Sequence, residues 1–141
     1  MKFFFDTSVL VAAIHVQHVH HQPSLAAYLK ADKKSACCAA HSLAEVYATL
    51  TRMPGAQRMS ADQALFFLDD IRRRLTIIAL NEEDYYSAIV SAATEGVVGG
   101  TIYDALLAKC ALKADAPIIY TWDLDHFRLL GAEVAKRVRT P

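Results

Sequence analysis

The chain has 141 residues, 54% of them apolar and 21% charged, with 15 Lys and Arg balancing 15 Asp and Glu to a net charge of zero. This composition excludes a disordered chain and one that grips nucleic acid through bulk positive charge, while permitting a basic rim around an acidic centre. The length fits one domain over residues 1–141, able to bury about two-thirds of the surface that its unfolded form exposes.

Lys2 to Phe5 is short, apolar and aromatic, and reads as a buried first strand. Asp6 interrupts the run and no small-residue cleavage site follows, so a secretory signal is not expected. Asp6-Thr7-Ser8 offers three capping side chains ahead of a helical segment from Val9 to Ile14. His15 to Pro23 loses periodicity and reads as a loop, and a short helix from Ser24 to Leu29 runs up to the polar cluster Asp32 to Ser35. Ala36 to Ala40 is a second strand candidate. Ser42-Leu43-Ala44-Glu45 then has the capping-box pattern and opens a helix that Pro54-Gly55 ends.

A second box, Ser60 with Gln63, opens an amphipathic helix to Arg74, and the β-branched Thr76 to Leu80 follows as a third strand. Asn81 to Asp84 caps a helix that ends near Glu95-Gly96. After the break at Gly99-Gly100, Thr101 to Asp104 opens another that reaches about Ala114. Pro117 to Thr121 reads as the fourth strand, Trp122 to Phe127 as the start of a short helix, and Glu133 to Val138 as an edge strand. Strands alternating with helices through short connections predict an α/β fold, a three-layer α/β/α sandwich around a mostly parallel sheet.

Cys37, Cys38 and Cys110 form neither a C-x-x-C metal pair nor an even disulfide set, and read as reduced core residues. No apolar stretch approaches the length needed to cross a bilayer, so no membrane contact and a cytoplasmic location are expected.

Four acids, Asp6, Glu45, Asp104 and Asp123, each stand where an apolar segment gives way to a helix start. In a parallel α/β layer such junctions gather along one sheet edge, where open α/β folds bind ligands. Two charges about 4 Å apart interact by roughly 4 kcal/mol at an effective dielectric near 20, so a shared pocket calls for protons or a hard divalent cation. Taken singly, each acid is explained as a helix cap. Their flanks weigh the other way, since Asp6 and Asp123 follow strands and have hydroxyls beside them. His15, His18, His20 and His21 lie in a loop without nearby Cys or acidic ligands, a poor setting for zinc. Asp69 and Asp70 can pair with Arg73 and Arg74 along their helix, which takes that basic run out of consideration for RNA.

The segments Phe5-Asp6-Thr7-Ser8-Val9-Leu10, Ser42 to Tyr47 continuing through Leu50-Thr51-Arg52-Met53-Pro54, Tyr103 to Ala108, and Thr121 to Phe127 resemble, in order and spacing, the PIN-domain family and its VapC-type toxins. The resemblance covers nearly the whole chain. It implies a PIN-like fold and an endoribonuclease that hydrolyses RNA as the toxin of a toxin–antitoxin pair. It makes Asp6, Glu45, Asp104 and Asp123 the catalytic quartet holding Mg²⁺ or Mn²⁺, with Ser8 and Thr121 as supporting hydroxyls. Asp125 competes with Asp123 for the fourth place, and the acid two residues after the threonine fits the family pattern. The resemblance also implies a cognate antitoxin and a homodimer. Arg52, and the tail residues Lys136, Arg137 and Arg139, are candidates for the RNA backbone, although a solvated terminus is the better explanation of the tail. The rivals are a catalytically silent PIN-like RNA-binding or scaffold module, and a phosphatase with Asp6 as nucleophile. The latter lacks the second aspartate two positions on, where Ser8 stands.

Overall fold

The computed structural model describes all 141 residues. Five parallel strands form one sheet: β1 (Phe3–Phe5), β2 (Ala36–Ala39), β3 (Thr76–Ile78), β4 (Ile118–Tyr120) and β5 (Val138–Arg139), in the order β3-β2-β1-β4-β5. The order reverses between β1 and β4, the switch point at which open parallel sheets leave a crevice beyond the strand carboxyl ends. Eight helices surround the sheet: α1 (Thr7–Ile14), α2 (His21–Lys30), α3 (Ala40–Arg52), α4 (Ala61–Arg74), α5 (Glu82–Thr94), α6 (Thr101–Lys113), α7 (Leu124–Arg128) and α8 (Ala132–Ala135).

Period-two alternation of the strand side chains divides the core in two. Phe5, Ala36 and Cys38 point to one face and pack with Val9, Leu10, Val46, Leu50 and Ile71 from α1, α3 and α4. Phe4, Cys37, Ala39 and Ile119 point to the other and meet Leu107, Ala111, Phe127 and Val134 from α6, α7 and α8. The three-layer sandwich expected from the alternation of elements is thus the observed one. All three cysteines are free and buried, and burial raises their thiols, Cys37 and Cys110 each to about 11.

Several boundaries differ from the sequence reading. Helix α2 starts at His21 rather than Ser24, with Pro23 inside its first turn, where a missing N–H costs nothing. Buried His21 anchors that turn through Nδ1, 2.9 Å from the Ala12 carbonyl oxygen. The expected edge strand over Glu133 to Val138 is instead α8 followed by the two-residue β5. Gly131, at φ 99°, makes the turn that starts α8. The Arg137 guanidinium then donates to the Ala116 carbonyl at 2.9 Å and approaches Glu133 at 3.5 Å, so this tail residue ties β5 down.

The boxes at Ser60–Gln63 and Asn81–Asp84 form with both reciprocal bonds. Those expected at Ser42–Glu45 and Thr101–Asp104 do not: α3 and α6 begin at Ala40 and Thr101, with Ala39 and Gly100 preceding them and no side-chain cap. Asp123 precedes α7 and makes no capping bond either. Of the four acids, only Asp6 caps its helix, accepting from the Ser8 N–H at 3.3 Å. In the Arg-rich run of α4, Arg74 pairs with Asp70 at 3.7 Å as expected, while Asp69 meets Arg72 rather than Arg73, at 3.8 Å.

Candidate active site

The strand ends at the switch point hold the site. Asp6 follows β1, and its N–H donates to the Tyr120 carbonyl of β4 at 2.9 Å, which locks the two strand ends side by side. Burial leaves Asp6 2% exposed. Its Oδ2 accepts from Ser8 Oγ at 2.6 Å and from Thr121 Oγ1 at 2.8 Å. Thr121 Oγ1 also accepts from the Asp123 N–H at 2.9 Å, and Ser8 Oγ from the Trp122 N–H at 3.0 Å. The two hydroxyls therefore bind the chain after β1 to the chain after β4, and they aim a single carboxylate.

Glu45 and Asp104 arrive from helices. With α3 starting at Ala40, Glu45 falls in its second turn, free of the cap, and Glu45 Oε1 accepts from Thr7 Oγ1 at 2.8 Å. Thr7 Oγ1 also lies 2.9 Å from Oγ of buried Ser42. Asp104, at the start of α6, has His126 Nδ1 3.4 Å from its Oδ2. An open cleft of about 520 Å³ is lined by Asp6, Glu45, Asp104 and Asp123 together with Thr7, Ser8, His18, His20 and Trp122. The four acids that stand far apart in the sequence thus share one cavity.

Their electrostatics carry the mark of crowding. Burial first, and then the neighbouring charges of Asp123 and Asp104, push the Asp6 carboxyl up to about 6 against the opposing pull of Ser8 and Thr121. Asp104 is raised as well, by burial, Asp123 and Glu45, with His126 opposing. No Lys or Arg lines the cleft. Asp6 is buried, Glu45 and Asp104 are half-buried and Asp123 is exposed, and acids gathered in this way without a lysine or arginine favour whatever supplies positive charge.

The four acids and the hydroxyls beside them offer only hard oxygen, and Asp6 Oδ1 takes no donor from the protein. Such a set fits magnesium or manganese in preference to zinc. No three Asp, Glu, His or Cys groups stand close enough to form a ready-made metal shell. Magnesium does not require such a shell, because it keeps several waters and uses one or two carboxylates.

Other candidates fall outside the cleft. Asp125 has a side chain 98% exposed and reaches Arg128 at 3.8 Å, so it faces solvent while Asp123 faces the cavity. Arg52 closes α3 two turns beyond Glu45, exposed and away from the lining. Lys136 pairs with Glu133 at 2.8 Å. In the sequence Thr7 reads only as a cap, whereas the structure sets Thr7 against Glu45 and His126 against Asp104. Thr7 had a local signal in the Asp-Thr-Ser triplet; the partner of His126 lies on another helix, and spacing could not reveal it.

The PIN domain family model matches residues 3–132. Ribonuclease VapC40 of Mycobacterium tuberculosis is 32% identical over 114 residues, 81% of each chain. Ribonuclease VapC27 of the same organism is 28% identical over 113 residues, 80% of this chain and 79% of that one. Among solved structures, M. tuberculosis VapC20, a sarcin-ricin loop cleaving toxin, superposes with a TM-score of 0.75 at 16% identity, over 94% of this chain and 98% of that one. VapBC2 from Rickettsia felis, bound to a DNA fragment from its promoter, gives 0.67 at 19% identity, over 99% and 98%. The chain belongs to the PIN-domain family, in its VapC-type branch. No helix is long and apolar enough to cross a membrane.

Proposed function

We propose that this protein is a metal-dependent endoribonuclease acting in the cytoplasm as the toxin of a toxin–antitoxin pair, with residues 1–141 as one nuclease domain. The observation that carries the reading is the gathering of Asp6, Glu45, Asp104 and Asp123 in one cavity that neither Lys nor Arg enters. Its VapC relatives, named ribonucleases, supply the reaction class.

Asp6 through Oδ1, together with Asp104, would hold Mg²⁺ or Mn²⁺ most directly. When bound, such a cation supplies Lewis acidity to the attacking water and to the phosphoryl oxygens. Ser8 and Thr121 fix the plane of the Asp6 carboxylate through Oδ2. Thr7 pins Glu45 through Oε1, which leaves Oε2 to orient the attacking water and take its proton. Asp123, held by its own N–H on Thr121, completes the acidic wall. Water oxygen bonds to phosphorus as its proton passes to Glu45, the bond to the leaving oxygen breaks, and that oxygen takes a proton from solvent.

The antitoxin is read as a protein whose segment covers the cleft, with an Arg paired to the acids. A homodimer is also part of the proposal, with exposed Leu29, Leu65 and Phe66 on α2 and α4 as its apolar contribution. Incubation of purified protein with structured RNA and Mg²⁺, with and without chelator and with Asp104→Asn alongside, tests the enzyme reading. Internal cleavage that chelation and the variant both abolish is expected. No cleavage by wild type under any divalent cation would leave a silent RNA-binding module, and undiminished cleavage by the variant would place the chemistry away from Asp104.

A further inference from the structure

Four acids wall the cleft and neither Lys nor Arg enters it, while an RNA substrate brings a negative phosphate at every nucleotide. The balancing cations stand at the other end of the sheet. All strands of a parallel sheet start on one side, so the segments ahead of β2 and β3 lie together, opposite the cleft at the strand carboxyl ends. These segments, Lys30 to Lys34 and Asp69 to Arg74, hold six cations against three acids. Since the whole chain is neutral, the remainder is net negative. The molecule is therefore polar along its strands, with a basic pole where β2 and β3 begin and an acidic one where the strands end.

An open concavity of about 500 Å³ lies between the two segments, lined by Asp32, Lys33, Lys34, Asp70, Arg73 and Arg74. Contacts across the fold fix its walls. Thr76 Oγ1 donates to the Lys33 carbonyl at 2.9 Å, Arg74 Nη1 to the Leu29 carbonyl at 3.3 Å, and the Tyr28 hydroxyl to Asp70 at 2.6 Å. The acids nearby are already engaged. Asp32 Oδ1 accepts from the Ser35 hydroxyl at 2.9 Å and from the N–H groups of Ser35 and Lys34 at 2.9 and 3.0 Å, closing its own turn. Asp70 takes Tyr28 and Arg74, and Asp69 takes Arg72. The pairing of Asp69 with Arg73 that helical spacing predicts is not made. Lys33, Lys34 and Arg73 are exposed and form no salt bridge. Arg74 keeps donor capacity too, because its buried Nε has no hydrogen-bond partner.

We propose that this basic concavity is a second RNA site, which holds phosphates of the substrate at a distance from the bond that is cut. The choice of ligand rests on the ribonuclease reading. Unpaired cationic heads on a fixed wall suit a phosphodiester backbone, whose charges repeat along the chain and whose binding requires no particular base. Strand β2 advances only about 10 Å over its four residues, so one folded RNA can meet both ends of the sheet. A short strand that only fills the cleft does not reach the concavity. Affinity for long RNA thus comes from the basic pole and the chemistry from the acidic one.

The test is a variant carrying Lys33→Gln, Lys34→Gln and Arg73→Gln together, at exposed positions outside the cleft. Binding of a long, folded RNA transcript of mixed sequence, measured with chelator present, should weaken about tenfold or more at low salt. The slope of log K against log salt should become shallower by about 2, since each lost phosphate contact removes roughly 0.7–0.9. In Mg²⁺, kcat/KM on a long RNA that wild type cleaves should fall by a similar factor through KM, while the shortest fragment still cut is cleaved at the wild-type rate. An unchanged salt slope, or an equal loss on long and short substrates, overturns the second site and leaves the nuclease reading standing. Salt-dependent self-association of wild type alone, with RNA binding the same in both proteins, would assign the concavity to the acidic cleft of a second copy and likewise overturn the proposal. If wild type cleaves nothing, the nuclease reading falls, and the salt slope for the transcript still decides whether the concavity holds phosphates.

Discussion

Two helix starts read alike in the sequence and do opposite things in the molecule. At Asn81–Asp84 both reciprocal capping bonds form, and Asp84 also accepts from Lys113 Nζ at 2.7 Å, which holds its carboxyl below the ordinary range. At Ser42–Glu45 the helix begins earlier, the cap is never made, and Glu45 turns to Thr7 with no lysine or arginine near it. The same spacing thus yields an acid paired with a lysine in one place and an acid facing a hydroxyl and a histidine in the other. The difference lies in the surroundings: a cation settles Asp84, whereas burial first and then neighbouring acids raise Asp6 and Asp104.

The sharpest way to break this contrast is to remove an acid from each region. Asp6→Asn should cut RNA cleavage on the order of a thousandfold, the several kcal/mol that a bound metal contributes. Activity within threefold of wild type would place the chemistry elsewhere. The same variant probes the crowding itself. In chelated protein Asp6 has a folded value near 6 against 3.8 unfolded, so the folded state binds the extra proton and stability falls as pH rises between those values. Urea melts of chelated wild type and Asp6→Asn should nearly coincide below pH 4 and separate above pH 6, with the variant more stable by up to about 3 kcal/mol. A separation that grows toward acid would reverse the assignment.

Thr121→Val removes a hydroxyl that serves Asp6 and the Asp123 N–H together. A loss of about 10- to 100-fold in cleavage is expected, regained in part at higher Mg²⁺ because the acids remain. Failure of added metal to help would separate Thr121 from the cation site. Thr7→Val removes one bond to Glu45 and should cost about fivefold in kcat, the value of a single net hydrogen bond near 1 kcal/mol. Smallest of all, Lys113→Met breaks the ion pair of the structural acid. A slight fall in Tm and less than about a twofold change in cleavage are expected for so exposed a pair, and a large activity loss would erase the distinction between the two helix starts.

The elements and their order were legible from local signals: three adjacent phenylalanines, β-branched runs, and the Ser60 and Asn81 boxes, each acting within a few residues. Alternation of strand and helix then dictated the parallel three-layer architecture, because a right-handed crossover leaves few other arrangements. The four acids were likewise visible as a set. Where α2 starts was decided by His21 reaching Ala12, and the tail by Gly131 and Arg137, contacts that lie outside any short sequence window. Only the folded chain could show that Glu45 and Asp104 abandon their caps, that Asp125 faces solvent while Asp123 faces the cleft, and that Thr7 and His126 adjoin the acids. Capping propensity is a property of neighbours in sequence, whereas the energy of a buried charge depends on every group that tertiary packing brings within a few ångströms.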